Sequence, residues 1–489
     1  MRAARAVLLV ACAGALAHAE TRPRYGGTVG GSLLGAPVAL DPVTAQAGAD
    51  LTVVGLVFDT LYSIAPDGTV EPHLALGAPT YDHARTTAHV VLRRGVVFHD
   101  GAPLAANDVV ASLERVRARL AWVLAPVSAI RVVGDGIDLV LRSPTADVAT
   151  LLALPATAIT RRGQPPAATR PIGSGPFAIE RLDPAGKQLV LKAFDDHFAG
   201  RPYVDRLVLA WFDTPDGEAR RFETGAADLS ARGVAAFAGA KPKYPAAEVE
   251  SPSALLLFVG FGRQHAQVTG ERGFRRALDL ALDRGAIATI TTGEHTQPTR
   301  VPLPIEAGAP LLDTAGRAGD AVAARAVLAE AGKQVPALSP ARLASDKLTI
   351  VIDETRPDDR ELALRVSRGL DKLGIGFTIE AVAADKLRDR AARGDCDLWI
   401  GQLAAPITVA SAWWGAAFAA GGDDWAVTRL TAGTLDSGEA GKAFAARLPI
   451  VPLMFRSLLV WHRTDVHGLG FDASGRPRLA DLYWQKARP

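Results

Sequence analysis

Three of the eight tryptophans, Trp413, Trp414 and Trp425, fall within thirteen residues, beside the paired acids Asp423 and Asp424. Indole faces next to carboxylates can stack on a sugar ring or hold a cation through the ring quadrupole. The stretch therefore reads as a ligand surface for a cationic or sugar-like solute, with packing beneath a loop as its alternative. Arg263 and Gln402 are further candidates for a polar pocket, or else surface groups. Catalytic patterns are missing. Gly260-Phe261-Gly262 starts like a dinucleotide cradle but continues Arg263-Gln264-His265 without the last glycine, and no Walker-type phosphate loop occurs. Ser174 in Gly173-Ser174-Gly175 has Ile172 where a nucleophile elbow needs glycine, so a tight turn is expected there. No histidine pair stands at the spacing of a helical metal site. No catalytic set, metal or cofactor is expected.

The elements that must position these residues are visible in the apolar spacing. Ala88, Val90 and Leu92 alternate as in a strand, and Val96-Val97-Phe98 reads as a second short one after a turn. Val109, Val110, Leu113 and Val116 share a helical face beginning near Asn107 and Asp108. Ala254 to Val259 is a continuous apolar run suited to a buried strand carrying the chain between lobes. Phe274, Ala277, Leu278, Ala281 and Leu282 follow at the spacing of one buried helix face. Between 348 and 380 a strand, a helix striped by Leu362, Val366, Leu370 and Leu373, the stop Gly374 and a second strand form a βαβ unit. Such a unit requires a parallel pair, so at least this lobe is expected to be a doubly wound α/β layer structure.

Charge and cysteine usage exclude several partner classes. Lys and Arg number 54 against 52 Asp and Glu, and Arg2 and Arg5 account for the excess. The remainder is neutral, with no global field to attract nucleic acid or anionic lipid. Met1 to Arg5, the apolar run Ala6 to Ala17 and the small residues of Ala17-His18-Ala19 have the layout of a signal peptide over residues 1–19. The run is too short for a bilayer span. Leu9-Val10-Ala11-Cys12 offers a rival lipobox with a shortened apolar region, so soluble export to the periplasm is preferred over lipidation at Cys12. Cys396, between Asp395 and Asp397, is expected to be a buried, inert thiol.

Several ordered segments resemble one known family. Arg24-Tyr25-Gly26-Gly27-Thr28 with Leu40-Asp41-Pro42 resembles its opening, and Val57-Phe58-Asp59-Thr60-Leu61-Tyr62 its first helix and turn. Leu92-Arg93-Arg94-Gly95-Val96-Val97-Phe98-His99-Asp100-Gly101 is the most specific stretch. Pro171-Ile172-Gly173-Ser174-Gly175-Pro176-Phe177, Gly200-Arg201-Pro202-Tyr203-Val204-Asp205-Arg206 and Phe274-Arg275-Arg276-Ala277-Leu278 continue the order. Ile450-Val451-Pro452-Leu453 resembles the return to the first lobe. Together they are similar to the extracellular solute-binding proteins of family 5, the peptide-, oligopeptide- and nickel-binding receptors of ABC importers.

The resemblance implies a two-lobed periplasmic-binding-protein-like α/β fold of type II with an enlarged first lobe. Residues 20–55, 171–252 and 440–489 would form lobe I, 56–170 its extra subdomain, and 253–439 lobe II. It also implies a monomer that encloses a peptide or other small molecule between its lobes and presents it to an importer permease, breaking no bond. Asp59, His99 and Asp100 match family positions and read as caps and turns that maintain the fold. Trp413, Trp414, Asp423 and Asp424 would lie where the second lobe faces the cleft.

One departure stands out. Peptide-binding members follow the Asp-Leu strand with an acidic stretch that pairs with the peptide amino terminus, whereas this chain reads Asp397-Leu398-Trp399-Ile400-Gly401-Gln402-Leu403-Ala404-Ala405-Pro406. A buried ammonium without a carboxylate costs several kcal/mol in desolvation, on the order of the effective penalty per ion, so ordinary free-amine peptides become doubtful ligands. The missing anchor also admits a diverged protein that serves as an envelope partner or sensor without transport.

Overall fold

The apolar run before Gly260 becomes the strand Leu255–Phe261, with Leu256, Phe258 and Val259 fully buried. It is central to a six-stranded sheet ordered Thr296–Pro298, Ile450–Arg456, Leu255–Phe261, Leu398–Ala404, Lys347–Asp353, Gly376–Val382. The computed structural model describes residues 23–485 apart from 46–47, 66, 143–146, 238–239 and 291–294. The expected leader and Cys12 lie outside the described residues.

The βαβ unit is present. Lys347–Asp353 and Gly376–Val382 pair in parallel, joined by helix Pro357–Lys372, whose Leu362, Val366 and Leu370 are buried against the sheet. Leu398–Ala404 extends the parallel set. The other half of the sheet is antiparallel, so the doubly wound pattern covers only three strands. Ile450–Arg456 corrects the expected boundary at residue 440. It pairs along Leu255–Phe261 with all seven of its residues buried, the apolar run Ile450–Phe455 filling an inner position of the sheet and Arg456 meeting Asp358.

Two sheets of three or more strands lie in the first lobe among the described residues. One is ordered Thr28–Ser32, Arg206–Ala210, Gln188–Ala193, Phe177–Asp183, and the other Leu229–Ser230, Leu459–Arg463, Ala246–Glu250. A third, antiparallel sheet of Thr80–Tyr81, Thr87–Val91, Gly136–Leu141 and Val127–Val133 carries helix Ala106–Arg119, which buries Val109, Leu113 and Val116. Val96 to Phe98 form no strand of it. There the chain closes on itself, with the amide of Leu104 donating to Val96 O at 2.9 Å, and Val96 and Phe98 anchor this loop in the core.

The chain crosses between the lobes twice, from Glu250 to Leu255 and back from Arg456 to Leu459. The two crossings run side by side. Ser251 N donates to Leu458 O at 2.9 Å, and Leu458 N to Ser251 Oγ at 2.7 Å. A pair of short extended links lets the lobes change their angle while both sheets stay intact.

Candidate functional site

A cleft of about 600 Å³ lies between a first-lobe segment that includes Leu34, Val38 and Asp50 and the inner strands Leu255–Phe261, Leu398–Ala404 and Lys347–Asp353 of the six-stranded sheet. Its floor is Trp399, which pairs with Gly260 on the neighbouring strand. A Cβ at Gly260 would lie 2.2 Å from the indole, and one at Gly401 2.5 Å from it. The two glycines therefore let the ring lie flat along the sheet, edge-on to Phe258 at 5.0 Å.

One wall is helix Ala384–Arg393. Ala384, Arg388, Ala391 and Ala392 recur at i, i+4, i+7 and i+8, placing one long cation among small side chains on the cleft face. Arg263 also reaches the cleft, its Nη2 donating to Arg393 O at 2.9 Å. Half-buried Arg275 donates from Nε to Thr269 O at 2.7 Å and from Nη1 to Leu448 O at 3.3 Å, with its guanidinium 4.6 Å from the Phe261 ring centre. Burial pulls its pKa down.

The remaining charged groups are largely occupied. Asp50 Oδ1 accepts from the amides of Val38 and Ala39 at 2.7 and 2.9 Å; burial raises its pKa, opposed by those bonds and by Arg388 across the cleft. Asp353 Oδ1 accepts from Thr355 N and Oγ1 at 2.8 and 2.7 Å. Arg356 stands 3.1 Å from Asp353 and 3.0 Å from Asp359, off the line of a hydrogen bond in both cases.

The tryptophan cluster separates. Trp413 and Trp414 do not line the cleft: Trp413 packs edge-on against Phe455 and donates to Pro406 O at 3.1 Å, while Trp414 lies among Phe418 and Phe444. Helix Ala410–Ala420 is apolar all round, so burial of both indoles is the favourable outcome. Asp423 is buried as the N-cap of helix Asp424–Thr431 and paired with Arg447. Trp425 is 45% exposed outside the cleft, with Arg447 and Arg429 4.7 and 5.2 Å from its ring centre. Arg263, Gln402 and Asp424 do line the cleft. The sequence reading passed over Trp399, Arg275, Arg388 and Asp50. Only Arg388 had a usable signal, the alanine face on which it stands.

Ser174 is not poised as a nucleophile. Its hydroxyl donates to Asp59 Oδ2 at 2.8 Å, and His73 contacts the other oxygen at 2.9 Å, so the acid stands between serine and histidine. Burial pushes the Asp59 pKa up, but His197 and His73 outweigh it and hold the carboxyl well below the usual range. A Cβ at Gly173 would fall 1.9 Å from Val57 O, which makes this turn a close backbone contact. Among the described residues no group of three or more His, Cys, Asp or Glu side chains could hold a metal ion. No helix among them is long and apolar enough to cross a membrane.

Comparison with known proteins places this geometry. Residues 69–424 match the family model for bacterial extracellular solute-binding proteins, family 5. Protein XP55 of Streptomyces lividans is 28% identical over 51% of this chain and 48% of its own length. The oligopeptide-binding protein AppA of Bacillus subtilis is 25% identical over 58% of this chain and 56% of its own. The chain thus spans about half the length of the curated relatives it matches. Among solved structures, AppA in complex with a nonapeptide superposes with a TM-score of 0.74 at 17% identity, covering 95% of this chain and all of that one. The binding protein DppA of Helicobacter pylori, in complex with the peptide STSA, gives 0.76 at 18% identity over 95% of this chain and 99% of its own. These likenesses establish the two-lobed fold.

Proposed function

Because the chain belongs to the bacterial extracellular solute-binding proteins of family 5, we propose that it is an exported receptor which captures a small solute between its lobes and delivers it unchanged to an ABC importer. The observation that carries this reading is the 600 Å³ cleft set beside two hydrogen-bonded interlobe crossings. Closure about these links would exclude water from the cleft and form, from both lobes together, the surface a permease reads. The leader at residues 1–19 would direct the protein to the periplasm. In this reading the protein acts as a monomer and leaves its ligand intact; Ser174, bonded to Asp59 rather than to a histidine, is in keeping with the second point.

Ligand-induced compaction tests the proposal. Purified protein mixed with panels of small solutes should show a raised melting temperature, by about RT ln(1 + [L]/Kd) of added stability, together with a smaller radius of gyration. A protein that neither stabilises nor contracts with any solute at millimolar concentration is not such a receptor. Affinity capture from cell envelopes should recover an importer permease, whereas an envelope sensor without transport would bring down other partners.

A further inference from the structure

The charges of the cleft do not cancel, and their pairing shows what is missing. Arg356 is flanked by Asp353 and Asp359. Asp50 has its carboxylate engaged by two backbone amides. Asp424 sits exposed at the start of its helix, where the helix dipole offsets a negative charge. Arg263 and Arg275 make hydrogen bonds to backbone carbonyls only, Arg275 also lying over the Phe261 ring, and Arg388 stands exposed on its alanine face with Asp50 across the cleft but not within ion-pair distance; none of the three forms an ion pair among the described residues. Arg275 is the most demanding. A half-buried guanidinium has five N–H donors, and only Nε and Nη1 find acceptors, both neutral. A buried or part-buried cation is costly until an anion meets it, and guanidinium presents its free edge in the fork geometry that carboxylates match.

We propose that the cleft is specific for an anionic, carboxylate-bearing solute, held by Arg275 with Arg263 and Arg388 and resting its apolar part on Trp399. The inference rests on the receptor reading above and names the substrate class of that site. It replaces the cationic or sugar-like ligand suggested by the tryptophan cluster, because Trp413, Trp414 and Asp423 are enclosed in the protein. The absent acidic anchor after Leu398 fits the same selection, because it leaves the solute facing one carboxylate fewer beside Asp50, Asp353 and Asp424.

The test uses the full chain with succinate, citrate and the dipeptide Glu-Glu as acidic probes, Ala-Ala and galactose as neutral probes, and Lys-Lys and spermidine as basic probes. Melting temperature and titration calorimetry are read for each. At least one acidic probe should bind, tenfold or more tighter than every neutral or basic one, and its affinity should fall as salt rises. Arg275→Ala and Arg388→Ala should each weaken that binding tenfold or more. Arg388 is exposed and makes no ion pair among the described residues, so its variant keeps the fold even where loss of Arg275 loosens the short helix ending at Thr269. Equal or tighter binding of a neutral or basic probe overturns the anionic class while leaving the receptor reading intact. Unchanged affinity in both arginine variants overturns the assignment of residues. Silence from every probe, acidic and otherwise, overturns both.

Discussion

Ala36 and Thr355 belong to different lobes, and the amide of Ala36 donates to Thr355 Oγ1 at 3.2 Å across the cleft. Thr355 in turn donates the same hydroxyl to Asp353 Oδ1 at 2.7 Å. The hydroxyl thus passes a contact from the first lobe to the sheet strand of the second.

Thr355→Val keeps the shape and removes the link. A single hydrogen bond is worth about 1 kcal/mol net, so the balance between nearer and more open lobe angles should shift roughly fivefold. Small-angle scattering of the unliganded variant should give a larger radius of gyration than the parent. Identical scattering curves would sink this reading of the contact.

The paired acids at 423 and 424 should behave oppositely. Asp423 Oδ1 accepts from Ala426 N at 3.2 Å and lies 2.8 Å from Arg447 Nη2, tying helix Asp424–Thr431 to helix Ser437–Arg447. Loss of the cap costs about 1 kcal/mol, and the pair, whose arginine side chain is 43% exposed, adds at most about 1 more. Urea unfolding should show Asp423→Ala destabilised by about 1–2 kcal/mol and Asp424→Ala within about 0.5 kcal/mol of the parent. Equal losses in the two variants would contradict the cap.

Asp279 and Arg284 form the deepest ion pair among the described residues, 2.6 Å apart and both essentially inaccessible, with the guanidinium also bound to Thr299 O at 2.7 Å and Pro452 O at 2.8 Å. Removing only the carboxylate strands a buried cation. Asp279→Ala should cost about 3–5 kcal/mol in chemical denaturation, and adding Arg284→Met should recover part of it. A loss below about 1 kcal/mol would show that water reaches the site.

Stability should depend on pH through Asp359. Burial pushes this carboxyl up to about 7 in spite of Arg356. The native state therefore holds its proton to higher pH than the unfolded chain, whose value lies near 3.9. The stabilising contribution is complete below about pH 4, declines by about 1.4 kcal/mol per unit as pH rises toward 7, and is lost above it. Asp359→Asn should remove this slope, gaining on the parent at pH 7.5 relative to pH 5. An equal difference at both values would falsify the raised pKa.

Cys396 should resist modification. It is fully buried, and burial pushes its thiol up to about 11, with Asp397 and Asp395 adding to the rise and Arg390 opposing it. At pH 8 a maleimide should label it slowly in the native protein and rapidly in urea. Equal rates would place the sulfur at the surface.

Much of the framework was legible in the residues because burial follows periodicity. The stripe of Leu362, Val366 and Leu370, the run at Leu255–Val259 and the alternation at Ala88–Val90 each specify an element and its inward face without reference to the rest of the chain. Val96 to Phe98 misled because apolar residues anchoring a loop have the same composition as a strand. The pairing of Ile450–Arg456 with Leu255–Phe261 is not encoded locally, because strand pairing is a long-range choice, here with residues nearly two hundred positions away.

The candidate site was less legible, and the reason is physical. Trp413 and Trp399 are the same residue type fourteen positions apart, yet one is sealed in a core and the other floors the cleft. What separates them is the space left by Gly260 and Gly401 on adjoining strands, which exists only after the sheet has formed. Likewise Asp423 and Arg263 carry full charges in the sequence, but whether a charge is matched within the fold or left for a ligand depends on partners brought from distant segments, such as Arg447 for the first and the carbonyl of Arg393 for the second. By itself the sequence determined the family, the elements and their buried faces, because these follow from local spacing and ordered motifs. Only the tertiary structure decided which arginines remain unpaired in the cleft, because electrostatic compensation is settled between residues that meet through folding.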